Sequence, residues 1–160
     1  MIHVEVTQPV NDPSQPGQYV LDRDEVWAGL RSKAENAIPF VAGMSECSVL
    51  ERGPEGLVRE VVVHGERIRE DVAFQVGQRV SFHRRDDRAT WVIHNEIGED
   101  ETGDLTLTFA GEVLFHGQAA EAKHDDEAAE RMRVSTLRVV RNTLAVIREM
   151  SEARAAEHAG

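Results

Sequence analysis

The chain has a single cysteine among its 160 residues, so no internal disulfide can form. Cys47 has no partner at CxxC spacing, which removes the usual thiolate metal sites. It sits beside Val49 and Leu50 and reads as a buried structural thiol. There is no run of Lys or Arg, and the net charge is −11. Phosphate backbones are held by basic surfaces, so a nucleic-acid partner is not expected. No apolar run approaches membrane-spanning length, and the N-terminus is not a basic, apolar leader. A cytoplasmic protein without membrane insertion is therefore expected. GxSxG, HExxH, P-loop and dinucleotide fingerprints are all missing, so no catalytic motif announces itself. No tight metal-ligand set is visible, so no metal is expected. A chelator should leave the thermal midpoint unchanged. A midpoint that falls by many degrees on chelation and recovers with one divalent ion would overturn that expectation.

Gly and Pro are also missing between Lys123 and the terminal Gly160. Within that stretch Leu137, Val140, Leu144 and Ile147 recur at three- and four-residue spacing, and Ala129 and Met132 extend the stripe. That period marks an amphipathic helix from Asp125 to about Ala156, with Asp125 or Asp126 as cap. Some thirty residues at about 1.5 Å each exceed one layer of a small domain, so turns after about Met150 are expected to protrude or fray.

The rest of the chain alternates. Ile2, Val4 and Val6 against His3, Glu5 and Thr7 make a half-buried strand. Asp22 with Glu25 fits a capping box, opening a helix whose apolar side is Val26, Trp27, Leu30 and Ala34. Pro39 ends or kinks it, and Phe40 to Met44 reads as a second brief helical turn. Six strands follow: Ser45–Arg52, Leu57–His64, Arg67–Val76, Arg79–Arg84, Thr90–Ile97 and Leu105–Phe115. Gly65-Glu66 is read as a hairpin turn, Gly111-Glu112 as a bulge, and Gly117 to His124 as a linker. The expected class is α+β: one domain over 1–160, with a seven-stranded curved antiparallel sheet around the long C-terminal helix. A kinked helix pair is expected between strands 1 and 2.

Strand alternation also assigns faces. Ile68, Glu70, Val72 and Phe74 share one face with Val80, Phe82 and Arg84. Trp91, Ile93, Asn95 and Ile97 follow, then Leu105, Leu107, Phe109 and Gly111, with Leu57, Arg59, Val61 and Val63. This face is apolar enough to point inward. Ser81, His83 and His94 fall on the other face, which suits water. Four polar residues interrupt the inner face: Arg59, Glu70, Arg84 and Asn95. Buried charges have to be paired. Two readings stand: an ion-pair cluster that only neutralises itself, or one that faces a pocket and orients a polar ligand group. The candidate cavity residues are Arg59, Glu70, Phe74, Phe82, Arg84, Trp91, Asn95, Phe109, Leu137, Val140 and Leu144.

Three blocks carry a family resemblance. They are Asp24-Glu25-Val26-Trp27-Ala28-Gly29-Leu30 with Lys33-Ala34-Glu35-Asn36; Phe40-Val41 with Met44-Ser45-Glu46-Cys47; and Val58-Arg59-Glu60-Val61 through Gly65 to Val72 and Phe74. The chain resembles the AtaL-like branch, of unknown function, within the START-like (SRPBCC) helix-grip superfamily that includes polyketide cyclases. The resemblance implies a cavity between sheet and long helix for a hydrophobic or aromatic small molecule, with no required cofactor. Three functions are compatible with it: ligand binding, a polyketide cyclase or aromatase-type enzyme, and a protein-interaction module without ligand. The oligomeric state is left as monomer or homodimer.

Overall fold

The computed structural model describes residues 1–116 and 126–159. The element order is β1 (Ile2–Pro9), α1 (Arg23–Glu35), β2 (Met44–Gly53), β3 (Gly56–Val63), β4 (Glu66–Gln75), β5 (Arg79–Arg85), β6 (Ala89–Glu99), β7 (Leu105–Phe115) and α2 (Asp126–Ala159). The strands form one antiparallel sheet in the order β1-β7-β6-β5-β4-β3-β2. Strands 1 and 2 are neighbours in sequence but lie at opposite edges. The segment between them, which contains α1, therefore crosses the sheet, and α1 and α2 pack against each other. The sheet, its order and the long C-terminal helix match the α+β helix-grip architecture.

Helix α1 starts where its chemistry says it should. The Asp22 carboxylate accepts from the Glu25 amide at 2.8 Å, and the Glu25 carboxylate accepts from the Asp22 amide at 3.0 Å. Two donors that the first turn leaves unpaired are satisfied reciprocally. Asp22→Ala should lower stability by about 1 kcal/mol in denaturant titration. A loss below a tenth of that would show that the cap is dispensable.

Several local expectations need correction. No second helix follows α1. Phe40 and Val41 amides both donate to the Ala37 carbonyl, closing a turn, and Gly43 at φ 83° leaves the helical region before the turn can grow. The β3–β4 hairpin turns at His64-Gly65, since Val63 pairs with Glu66. Both turn residues have positive φ, 49° and 82°, as a two-residue hairpin of this hand requires, and glycine takes the second place. The shift is two residues, so the inner-face phase is kept. Gly111 lies in unbroken register between Val4 and Ile93, and the bulges are in edge strand β2 instead. Helix α2 stays helical to Ala159; Ser151 is buried, and past it the helix is exposed apart from half-buried Ala155. Cys47 is half-buried, with its sulfur 3.9 Å from the Glu35 carbonyl oxygen. On the outer face Ser81 is buried and bonded to His94 Nδ1 at 2.7 Å, so this pair is not simply solvated. The Asp125 cap and the Gly117–His124 linker lie outside the described residues.

The C-terminal half of α2 is tied down at several points. Arg148 donates to the Tyr19 carbonyl at 2.8 Å and to the Val10 carbonyl at 2.5 Å. Asn142 donates to the Phe40 carbonyl at 2.8 Å. Ile147 fills the space over Gly29, where an added Cβ would lie 2.4 Å from its side chain. Only glycine allows α1 and α2 to approach this closely.

Candidate functional site

Between β1, β6, β7 and the N-terminal half of α2 lies a cavity of about 520 Å³. Ile2 and Val4 of β1 and Trp91 and Ile93 of β6 form part of its wall. Phe109, Gly111, Val113 and Phe115 of β7 continue it. The helix contributes Met132, Ser135, Thr136 and Val139, with Arg131 on its exposed side. The wall is mostly apolar, with few polar atoms, which is the usual form of a small-molecule site.

Two of the sequence-derived candidates, Trp91 and Phe109, line this cavity. Val140 and Leu144 are buried in the main core, with Leu137 half-buried beside them. The helix presents to the cavity the stripe at 128, 132, 135 and 139, one position round from the stripe at 137, 140 and 144 that seals the core. Phe74 is half-buried and packs edge-on against Trp27 at 6.2 Å.

The polar candidates are brought together behind the wall. Arg59 and Glu70 are directly opposite across β3 and β4, and Glu70 and Arg84 across β4 and β5. Each arginine takes one carboxylate oxygen. Arg59 Nε and Nη2 reach Oε1 at 2.9 and 2.8 Å, and Arg84 Nη2 reaches Oε2 at 2.7 Å. Glu70 is 2 % exposed. Burial alone would push its pKa up, but Arg59 and then Arg84 outweigh that and hold it below the ordinary value. The free nitrogen of Arg59, Nη1, donates to the Lys33 and Ala34 carbonyls, both at 2.9 Å. Those carbonyls are among the groups that the end of α1 leaves unpaired. The cluster thus pins the last turn of a helix to the sheet. Arg84 lies 5.7 Å over the Trp91 ring, so the cluster also backs the cavity wall.

Sequence reasoning missed Lys33. It is buried, and Nζ donates to Asn95 Oδ1 at 2.8 Å. The ammonium lies over two aromatic faces, Phe82 at 4.9 Å and Phe109 at 4.7 Å. Burial and the neighbouring Arg59 lower its pKa from 10.5 to about 7, against a smaller opposing pull from Glu70. The available signal was its spacing: Lys33 stands three residues after Leu30 and seven after Val26, on the buried side of α1. Among the described residues, three buried side-chain groups have no hydrogen-bond partner: Trp91 Nε1, Asn95 Nδ2 and Thr143 Oγ1. No group of three or more His, Cys, Asp or Glu residues among those described could hold a metal ion. No helix there is long and apolar enough to cross a membrane.

Comparison with known proteins bears on the same fold. The family model described as acetylaranotin biosynthesis cluster protein L matches residues 4–154. A search of curated proteins finds no match. Among solved structures, the di-domain aromatase/cyclase StfQ of the steffimycin pathway superposes with a TM-score of 0.68 at 12 % identity. That match covers 97 % of this chain and 53 % of StfQ, so the chain spans about half the length of that protein. The Zhui aromatase/cyclase from Streptomyces sp. R1128 gives 0.64 at 17 % identity, covering 96 % of this chain and 94 % of its own. A protein from Thermus thermophilus gives 0.67 at 10 % identity, covering 93 % and 99 %. At such identities these likenesses establish the shared fold.

Proposed function

The chain belongs to the family of acetylaranotin biosynthesis cluster protein L, and from that premise we propose that it is a single helix-grip domain that binds a hydrophobic, aromatic small molecule between its sheet and α2. The observation that carries this reading is the apolar cavity of about 520 Å³, which is within the usual range of ligand sites. The aromatase/cyclase neighbours support an aromatic ligand. Trp91 and Phe109 offer flat faces to such a molecule from adjacent strands. The Arg59–Glu70–Arg84 cluster serves the site from behind by fixing the strand register that presents Trp91.

The neutral, polarity-sensitive naphthalene dye Prodan tests this directly. The Trp27→Phe background leaves Trp91 as the single tryptophan. Binding should shift the dye's emission to the blue and quench Trp91 by energy transfer, with 1:1 stoichiometry. Absence of saturable binding would overturn the reading. So would saturable binding that leaves Trp91 emission unchanged, because the dye would then be seated elsewhere.

A further inference from the structure

The buried polar groups next to the cavity do not balance. Arg59, Lys33 and Arg84 bring three cationic side chains to the inner face, and Glu70 is the one carboxylate bonded among them. Both Glu70 oxygens are already taken by the two arginines. Among the described residues Lys33 has no carboxylate of its own. Its one hydrogen bond among the described contacts goes to a neutral amide, and two aromatic faces supply the rest of its surroundings. The imbalance extends to hydrogen bonds. Asn95 is fully buried, its Oδ1 is committed to Lys33, and its Nδ2 donor has no partner among the described residues. Trp91 Nε1, on the cavity wall, is a second donor without one. Surplus positive charge and surplus donors call for the same thing, an oxygen that accepts and carries negative charge.

Phe109 connects this spot to the cavity. Its ring lines the cavity, and Lys33 Nζ is 4.7 Å from the ring centroid. Asn95 is its direct cross-strand neighbour. The amine and the amide therefore share Phe109 with the cavity wall, and that ring has to turn aside for a ligand oxygen to reach them.

We propose that Lys33 and Asn95 form an oxyanion-accepting site at the inner end of the cavity, which takes the phenolate, enolate or carboxylate oxygen of an otherwise apolar ligand. This deepens the cavity reading and rests on it. The ligand oxygen accepts from Lys33 Nζ and from Asn95 Nδ2. When the ligand arrives as a neutral phenol or enol, its hydroxyl proton passes to the Lys33 amine, leaving an ammonium–oxyanion pair with no other reactant required. A charge-assisted pair formed away from water is stronger than either neutral hydrogen bond it replaces.

The test is displacement of Prodan by three probes of one ring size: 2-naphthol, 2-naphthoate and 2-methoxynaphthalene. At least one of the two acidic probes should bind about tenfold or more tighter than the methyl ether. Whichever of naphthol and naphthoate leads identifies the oxygen source. In Lys33→Met the preference should fall to within about twofold. Asn95→Asp gives Lys33 the missing carboxylate inside the protein, so it should also abolish the preference, by repulsion. That second variant keeps the test decisive if either substitution alone fails to fold. Equal affinity for all three probes in the unmodified protein overturns the site while leaving the cavity reading intact. A preference that survives both variants overturns it equally. Failure of Prodan itself to bind removes the cavity reading and the site with it.

Discussion

Glu70→Gln is expected to lower stability by about 3–5 kcal/mol, the range for breaking a buried pair by removing one partner. The glutamine keeps the shape, but its amide nitrogen must face a guanidinium, donor against donor. Arg59 bears the consequence, because its side chain is 4 % exposed and water cannot take the place of the carboxylate. Arg84, with a side chain 22 % exposed, is partly screened and should account for the smaller share. Arg84→Met keeps much of the stem volume and should therefore cost less than Glu70→Gln. The same pairing fixes a sign in acid. Glu70 has its pKa lowered from 4.5 in the fold, so the cluster's contribution is complete above 4.5 and is lost as pH falls through the lower, folded value. Denaturant titration at pH 7 and in acid measures both effects. A loss at pH 7 under about 1 kcal/mol would show that solvent reaches the cluster.

Lys33→Met should have the opposite effect and stabilise the fold. Lowering an amine from 10.5 to about 7 corresponds to an ionisation cost of about 5 kcal/mol at pH 7. Removing the amine strands Asn95 Oδ1, which returns about 1–3 kcal/mol. The net gain expected at pH 7 is about 2–4 kcal/mol. Between pH 7 and 10.5 the unfolded chain holds the Lys33 proton and the folded chain does not. The unfolded state thus binds more protons, and unmodified protein gains stability as pH rises through that window, at up to about 1.4 kcal/mol per unit. Groups facing the amine from the strands are Arg59, Glu70 and Asn95, with the rings of Phe82 and Phe109. Of these, Glu70 is held ionised well below the window. The gap between variant and unmodified protein should therefore narrow steadily from about pH 7 to about pH 9. A constant gap would mean that Lys33 is charged in the fold throughout.

The contrast between these two residues explains what was legible beforehand. Glu70 could be found because strands have a strict period of two, and a hairpin of either register keeps the same parity. The Arg59–Glu70–Arg84 row therefore survived a misplaced turn at His64-Gly65. Lys33 could not be found this way. A lysine on a helix ordinarily leads its charge out to water along its stem. Only the strands lying over α1 close that route, and that closure belongs to tertiary packing. The same holds for the cavity side of α2. Ser135, Thr136 and Arg131 carry no apolar signal, so periodicity reached the cavity side only at Met132 and otherwise pointed to the stripe that packs most tightly. The second helix after α1 failed for a simpler reason. A single turn and a short helix share the same local pattern, and Gly43 decides between them by taking a positive φ of 83°.

The close approach of Ile147 to Gly29, with Arg148 beside it, gives α2 a pivot past the middle of its length. A tilt of about 5° about Ile147 would carry Ala128, roughly 28 Å away at about 1.5 Å per residue, through about 2.5 Å. That displacement is more than half of the roughly 4 Å at which two carbon atoms pack. A small tilt at that glycine contact would thereby be magnified into a large change in room at the far end. Ligands of different bulk would then be met by a change of slope in one helix, and affinity would fall gradually with size instead of stopping at a fixed wall.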